Sequence, residues 1–290
     1  MSRSRRPIRV GPAPSGGASR DLLFEIGVEE LPAGYVPPAL EQLERGAAAM
    51  LDELRLEHGA IRALGTPRRL ALMVEAVAAR QPDRSVEVVG PAVRAAFDPE
   101  GKPTRALLGF CQAKNVNLSD VRRVAAPKGE YVAATVHIAG VSAVAALPVP
   151  LAMLAGSLTF PKTMRWLADD TRFARPVRWL VALLGDEVFP VPAFGLHTGR
   201  HSYGHRFLAP GPDEIRSASA YVESLRAASV LVDHHERERR LVEDIEAKAR
   251  KAGGRIVADP ELVEINNFMV EWPTAYAGRF DAHYLDLRAR

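Results

Sequence analysis

The sequence predicts an α+β protein with a basic leader over residues 1–20, a mixed α/β region over 21–206 and a mainly helical region over 207–290. Three observations carry that prediction. Leu22, Phe24, Ile26 and Val28 recur at period two, the spacing of a strand with one buried face. Leu40, Leu43, Ala47, Met50, Leu51 and Leu54 recur at three- and four-residue intervals, the spacing of a helix. The last third repeats the helical period, most clearly from His234 to Lys251, where Leu241, Ile245 and Ala249 point inward and Gly253-Gly254 makes the stop. With 290 residues, 47% hydrophobic and 25% charged, the chain can bury a sizeable core in about two domains. Charged residues interrupt every apolar run before the ~18–20 residues that span a bilayer, so no membrane crossing is expected.

In chain order, the leader holds Arg3, Arg5, Arg6, Arg9 and Arg20 with no acid, plus Pro12, Pro14 and Ser15-Gly16-Gly17, and lacks the apolar block of a secretory signal. Disorder is expected there. After the first strand, Pro37 and Pro38 suit the opening turn of a helix running to Gly59. Gly65-Thr66-Pro67-Arg68-Arg69 reads as a turn before a second strand, Leu70 to Ala78. Segment 80–104, with Gly90-Pro91 and Asp98-Pro99-Glu100-Gly101, reads as a loop with short strands. A short helix over 104–113, a strand from Tyr131 to Ile138 and a helix from Val149 to Leu158 follow. Val177 to Leu184 is an apolar strand, and Val188 to Phe194 its partner at an edge because of Pro190 and Pro192. Asp213 to Ala227 reads as one helix, His234 to Lys251 as a second capped by Asp233, and Pro260 to Glu271 as a third.

Charge and motif content narrow the chemistry. The net charge is +3, but the leader supplies five positives, leaving 33 basic against 35 acidic residues, so overall charge does not argue for nucleic acid. Phe160 to Arg206 reads as the basic stretch inside the fold, with seven Lys/Arg against four acids. Composition alone fits equally a solvated surface whose arginines pair with the acidic C-terminal third. His197, His201 and His205 are spaced four apart, yet Gly195, Gly199 and Gly204 interleave with them and no carboxylate accompanies them, so single contacts to backbone or phosphate are expected and no metal site. Asp233-His234-His235 has the wrong order for a metal-dependent phosphohydrolase, and a hydrolase built on the histidines is the weakest reading. Cys111, the one cysteine, reads as a small buried residue and fits a reducing, cytoplasmic compartment. There is no Walker A pattern, dinucleotide fingerprint or nucleophile elbow, and no catalytic residue is expected in this chain. Arg165 and Trp166, then Arg175, Arg178 and Trp179, offer planar donors that fit phosphate and rings on which a base stacks. Trp179 fits the strand core and Trp166 a domain joint equally well as structural residues.

These residues carry a resemblance. Leu23-Phe24-Glu25-Ile26-Gly27-Val28-Glu29-Glu30-Leu31-Pro32, Thr66-Pro67-Arg68-Arg69-Leu70-Ala71, Gly90-Pro91, Gly109-Phe110 and Phe160-Pro161-Lys162 come first, in that order. Met164-Arg165-Trp166, Arg175-Pro176-Val177-Arg178-Trp179-Leu180, Gly204-His205-Arg206-Phe207 and Val270-Glu271-Trp272-Pro273 follow. From about Leu22 to Leu287 the chain resembles the N-terminal part of the β subunit of bacterial heterotetrameric glycyl-tRNA synthetase. The resemblance implies a non-catalytic, tRNA-binding chain of an α2β2 glycine–tRNA ligase, with ATP and magnesium at the α subunit and no cofactor here. It also implies a fold similar to domains of the phenylalanyl-tRNA synthetase β subunit, and further helical and anticodon-binding domains beyond residue 290. Arg68, Arg69, Lys162, Arg165, Trp166, Arg175, Arg178, His205 and Arg206 are carried over as residues that contact RNA or the partner subunit. The alternative is a stand-alone structural or assembly module that binds protein instead of RNA.

Overall fold

The computed structural model describes residues 18–166 and 170–286. The expected leader falls outside these residues except at its end, where Arg20 already belongs to a strand. The chain divides into two compact units: unit 1 comprises residues up to 79 and from 143 onward, and unit 2 is the inserted segment Arg80–Ser142. Compactness therefore breaks at residues 80 and 142, whereas the sequence placed the boundary at 206.

Unit 1 is built on β1 (Arg20–Val28), which pairs antiparallel with β3 (Arg69–Val77) on one side and β9 (Val177–Leu184) on the other. β2 (Ile61–Thr66) forms a hairpin with β3, so Gly65 and Thr66 end a strand and Pro67-Arg68 makes the turn. Between β1 and β2 lies α1 (Val36–Leu54), opened by Pro37 and Pro38 and ended by Arg55 in the left-handed conformation, φ 54°.

The chain then enters unit 2. β4 (Arg84–Ala92), α2 (Val93–Ala96), α3 (Arg105–Lys114), β5 (Arg122–Ala126) and β6 (Gly129–Ile138) form an antiparallel sheet, order β4-β6-β5, with Ala96, Leu107, Cys111 and Val132 in its small core. The expected loop at 80–104 thus holds a nine-residue strand. Gly90-Pro91 does not break it because the register shifts between Val89 and Ala92, and a Cβ at Gly90 would meet Val132 at 2.9 Å and Phe110 at 3.0 Å.

Back in unit 1, α4 (Ala143–Ala146) and α5 (Pro148–Gly156) are followed by the pair β7 (Met164–Arg165) and β8 (Arg172–Phe173), then β9. β10 (Glu187–Val188) and β11 (Thr198–Gly199) pair with β9, the first antiparallel and the second parallel. Of the expected partner strand over 188–194 only Val188 is in a strand, together with Glu187 before it, since Pro190 and Pro192 cannot donate to a ladder. β12 (His201–Tyr203) pairs with β13 (Pro212–Glu214), so Asp213 is in a strand. The helix expected from there starts late: Ser217 caps a 3-10 turn over 218–220, and α6 (Tyr221–Ala227) follows. α7 (His234–Lys251) matches expectation, with Asp233 accepting from the N–H groups of His235 at 3.0 Å and Glu236 at 3.2 Å. α8 (Pro260–Asn267) ends four residues before Glu271.

Two faces of the large sheet are covered. Leu22, Phe24 and Ile26 of β1, with Leu70 and Leu72 of β3 and Leu180 and Ala182 of β9, pack toward α1 and α5. Leu23, Ala71, Met73, Val181 and Leu183 pack toward Ile215, Tyr221, Leu225, Val230 and Val232. β1 is therefore buried on both sides, where its alternation suggested one. The residues around α6 belong to the same compact unit as the sheet.

Candidate functional site

Strand parity decides which polar side chains meet. On β1, Glu25 and Gly27 share the α6 side with Leu23, Arg69 shares it with Ala71 and Met73 on β3, and Trp179 shares it with Val181 on β9. Gly27 pairs with both Arg69 and Trp179, so the three form one rung across the sheet. Only glycine fits there, because a Cβ on Gly27 would lie 1.8 Å from the Trp179 ring. Above that rung, both arginines of the Pro67-Arg68-Arg69 turn have their guanidinium carbons 5.8 Å from the indole centroid.

Glu271, just beyond α8, closes the cluster. Its Oε1 accepts from Thr66 Oγ1 at 2.8 Å and Arg69 Nη2 at 3.0 Å, and its Oε2 lies 3.3 Å from Arg68 Nη1. Arg69 also donates to the Tyr203 carbonyl at 2.8 Å and to Ser202 Oγ at 3.2 Å, and Ser202 donates to Glu25 at 2.7 Å. The Trp179 Nε1–H donates to the same Glu25 carboxylate. Burial would raise the Glu271 carboxyl, but the Arg69 and Arg68 charges and the Thr66 hydrogen bond outweigh it and hold it below the usual glutamate range. Burial likewise would lower Arg69, and the Glu271 and Glu25 charges reverse this. Tyr221, beneath the cluster, is pushed well above an ordinary phenol by burial and then by the Glu25 charge.

A second buried cation ties α7 to the sheet. Arg237 is fully enclosed and donates to the carbonyls of Asn267 at 2.9 Å, Leu231 at 2.5 Å and Gly65 at 2.9 Å. With carbonyls in place of a paired carboxylate, burial lowers its pKa to about 10. At the head of α7, His234 is lowered to about 4 by burial first, then by the His235 and Arg237 charges.

The residues expected to contact RNA or a partner divide sharply. Arg69 is fully enclosed and Arg68 keeps 12% of its side chain exposed, so both serve the internal cluster and neither presents a guanidinium outward. The resemblance had suggested arginines that contact RNA or the partner subunit; the Glu271 carboxylate, 202 residues away from Arg69, draws them in. Arg178, 62% exposed, lies 3.5 Å from Glu29, and Arg206, 45% exposed, lies 3.6 Å from Glu29 and 3.1 Å from Glu30. Those two arginines meet, but as a neutral quartet with two glutamates. Arg165 is exposed and pairs with Asp170 at 2.9 Å. Trp166 is half-buried and stacks on Phe194, ring centroids 6.3 Å apart. His205 is half-buried, and its Nδ1 accepts from the N–H groups of Phe207 and Leu208, both at 3.2 Å. Lys162 and Arg175 are exposed and pair with no acid among the described residues. His197, His201 and His205 fall on a loop, on β12 and on the next loop, not on one helix face.

Glu25, Thr66, Ser202, Tyr221, Arg237 and Glu271 were not singled out as site residues. The signal for Glu25 was its place in a strand that is apolar at both parities, because a carboxylate there has to find a cation inside the protein.

The family model described as "Glycyl-tRNA synthetase beta subunit" matches residues 22–289. Among curated relatives, the glycine–tRNA ligase β subunit of Moorella thermoacetica is 46% identical over 93% of this chain and 39% of its own length. That of Anaeromyxobacter dehalogenans (strain 2CP-C) is 46% identical over 92% of this chain and 38% of its own length, and that of Myxococcus xanthus 42% over 93% and 38%. The chain spans about two fifths of the length of these relatives.

Proposed function

The chain belongs to the glycyl-tRNA synthetase β-subunit family, and on that premise we propose that it is the N-terminal part of a tRNA-binding β subunit supporting ATP-dependent glycylation of glycine tRNA by a separate α subunit. The match across residues 22–289 carries this reading. The buried cluster supports it, since its charges are largely consumed in tying the central sheet to the loops at 202–204 and 271, as in a scaffold. In this reading the assembly is α2β2, ATP and magnesium bind at the α subunit, and the protein works in the cytoplasm. Among the described residues, no helix is long and apolar enough to cross a membrane.

The test is made on the native gene product, tagged at its N-terminus in the source cell, by intact mass, co-purifying species and glycine charging. Co-purification of an α subunit and tRNA, with charging only in fractions that hold both subunits, is the expected result. A lone product with the mass of these 290 residues, free of an α subunit and inactive in charging, would overturn the proposal. Co-purification of other proteins without tRNA would point to an assembly module.

A further inference from the structure

Unit 2 carries an excess of positive charge. Residues 80–142 hold nine Lys/Arg against six Asp/Glu, whereas the remainder beyond Arg20 holds 24 against 29. Phe160–Arg206 carries the same excess of three, seven against four, so unit 2 is a second basic stretch, and in the first Arg165, Arg178 and Arg206 are matched by Asp170, Glu29 and Glu30.

Within unit 2, α2 and α3 cover the sheet face that carries Val132. On the opposite face, parity places Val89 and Glu87 of β4, Tyr131 and Thr135 of β6, and Arg122 and Ala126 of β5. At the β5–β6 hairpin end of that face, Val89, Ala126, Pro127, Lys128 and Tyr131 line a shallow groove of about 270 Å³. It falls just below the ~300–1,000 Å³ of sites that enclose a whole small ligand, a size suited to one planar ring. Val89 is 60% exposed in it. Cations flank the ring on both sides. Lys128 stands at the hairpin tip, and Arg122 lies two residues along β5 from Val124, the partner of Tyr131, roughly 7 Å away by the strand rise. Glu87, the one acid on this face of the three strands, pairs with Arg122 in an exposed contact that holds the arginine weakly.

An aromatic ring between cations is the chemistry of a base-stacking platform, in which the ring takes any base and the cations take the flanking phosphates. We propose that this groove binds an unpaired nucleotide of single-stranded RNA, its base on Tyr131 and its neighbouring phosphates on Lys128 and Arg122. The proposal rests on the tRNA-binding reading above and assigns a contact for it to unit 2.

The experiment uses the full-length β subunit in complex with the α subunit. A fluorescein-labelled, unstructured RNA oligonucleotide is titrated by anisotropy at two salt concentrations, and the KM for glycine tRNA is measured alongside. Tyr131→Ala and Lys128→Glu are expected to weaken oligonucleotide binding about fivefold or more, with Lys128→Glu also flattening the salt dependence. Tyr131→Phe, which keeps the ring, should stay within twofold of the native complex. Lys128 is exposed at a hairpin tip, so its variant should melt with the native protein and separate binding from folding. If Tyr131→Ala and Lys128→Glu both stay within twofold in binding and KM while the native complex charges tRNA, the groove assignment is overturned and the family-based reading stands. A native complex that neither binds RNA nor charges tRNA overturns both. Loss of the α subunit from the variants, with RNA binding intact, overturns the groove assignment in favour of a protein surface.

Discussion

Arg69 and Glu271 show how one residue's role depends on which face of a strand it occupies. Residues 69, 71 and 73 share a parity, and both parities of β3 are apolar, so an arginine at 69 had to enter the interior and bring its counter-charge with it. That inference was available from the strand alone. The identity of the counter-charge was not, because nothing local connects residue 69 with residue 271. Replacing Glu271 by Gln leaves the Arg69 guanidinium enclosed without its directly bonded carboxylate, and should cost about 3 kcal/mol at pH 7, read from urea melts. The folded-state pKa of Glu271 lies below the ordinary value, so its stabilisation is present above about pH 4.3 and is lost as pH falls through the folded value. The native protein should therefore lose more stability than E271Q on acidification below pH 4. His234 acts in a different window. It is held neutral in the fold, with a pKa of about 4 against 6.5, so the unfolded chain binds the extra proton as pH drops from about 6.5 to 4 and stability falls across that range. Because the residue is only partly buried, the effect is on the order of 1–2 kcal/mol. In His234→Leu, the stability difference between pH 7 and pH 5 should shrink by that amount.

Elements with their own caps and periodicity were legible, and those defined by a distant partner were not. α7 carries its N-cap, its apolar stripe and its glycine stop within twenty-one residues, and it forms where its pattern places it. β4 carries charges and a proline that resemble a loop, and it becomes a strand because β6 supplies its hydrogen bonds. The helix expected from Asp213 shows the opposite error: a helical period is interrupted because β12 pairs with residues 212–214 first. β1 illustrates a tighter constraint. Its Gly27 lies under Trp179, and an alanine there would drive a methyl into the indole. Gly27→Ala should displace Trp179, weaken its bond to Glu25 and destabilise the protein by roughly 1–3 kcal/mol, seen as altered near-UV circular dichroism and a lower urea midpoint. A retained Trp179 spectrum would show that the sheet can shift to absorb the methyl.

For the whole molecule, the two-unit division follows from where the chain leaves and re-enters the larger unit. The Ala143 N–H donates to the Ala79 carbonyl at 2.9 Å, so the ends that bracket the 63-residue insertion are hydrogen-bonded neighbours inside unit 1. Joining Ala79 to Ala143 through two glycines should leave unit 1 folded, with a melting temperature within a few degrees of the native chain. Collapse of that variant would show that unit 1 depends on its insertion. The same unit has a cost in time. Glu271 reaches Arg69 across 202 residues of sequence, and Trp179 reaches Glu25 across 154. A ribosome adding roughly 5–20 residues per second delivers Glu271 about 10–40 s after Arg69, far longer than a hairpin takes to form. Until β9 emerges, about halfway through that interval, the nascent β1–β3 ladder has one open edge, and throughout it Arg69 awaits the Glu271 carboxylate. Translation speed and chaperone access therefore bear on the yield of this protein, as does its final stability.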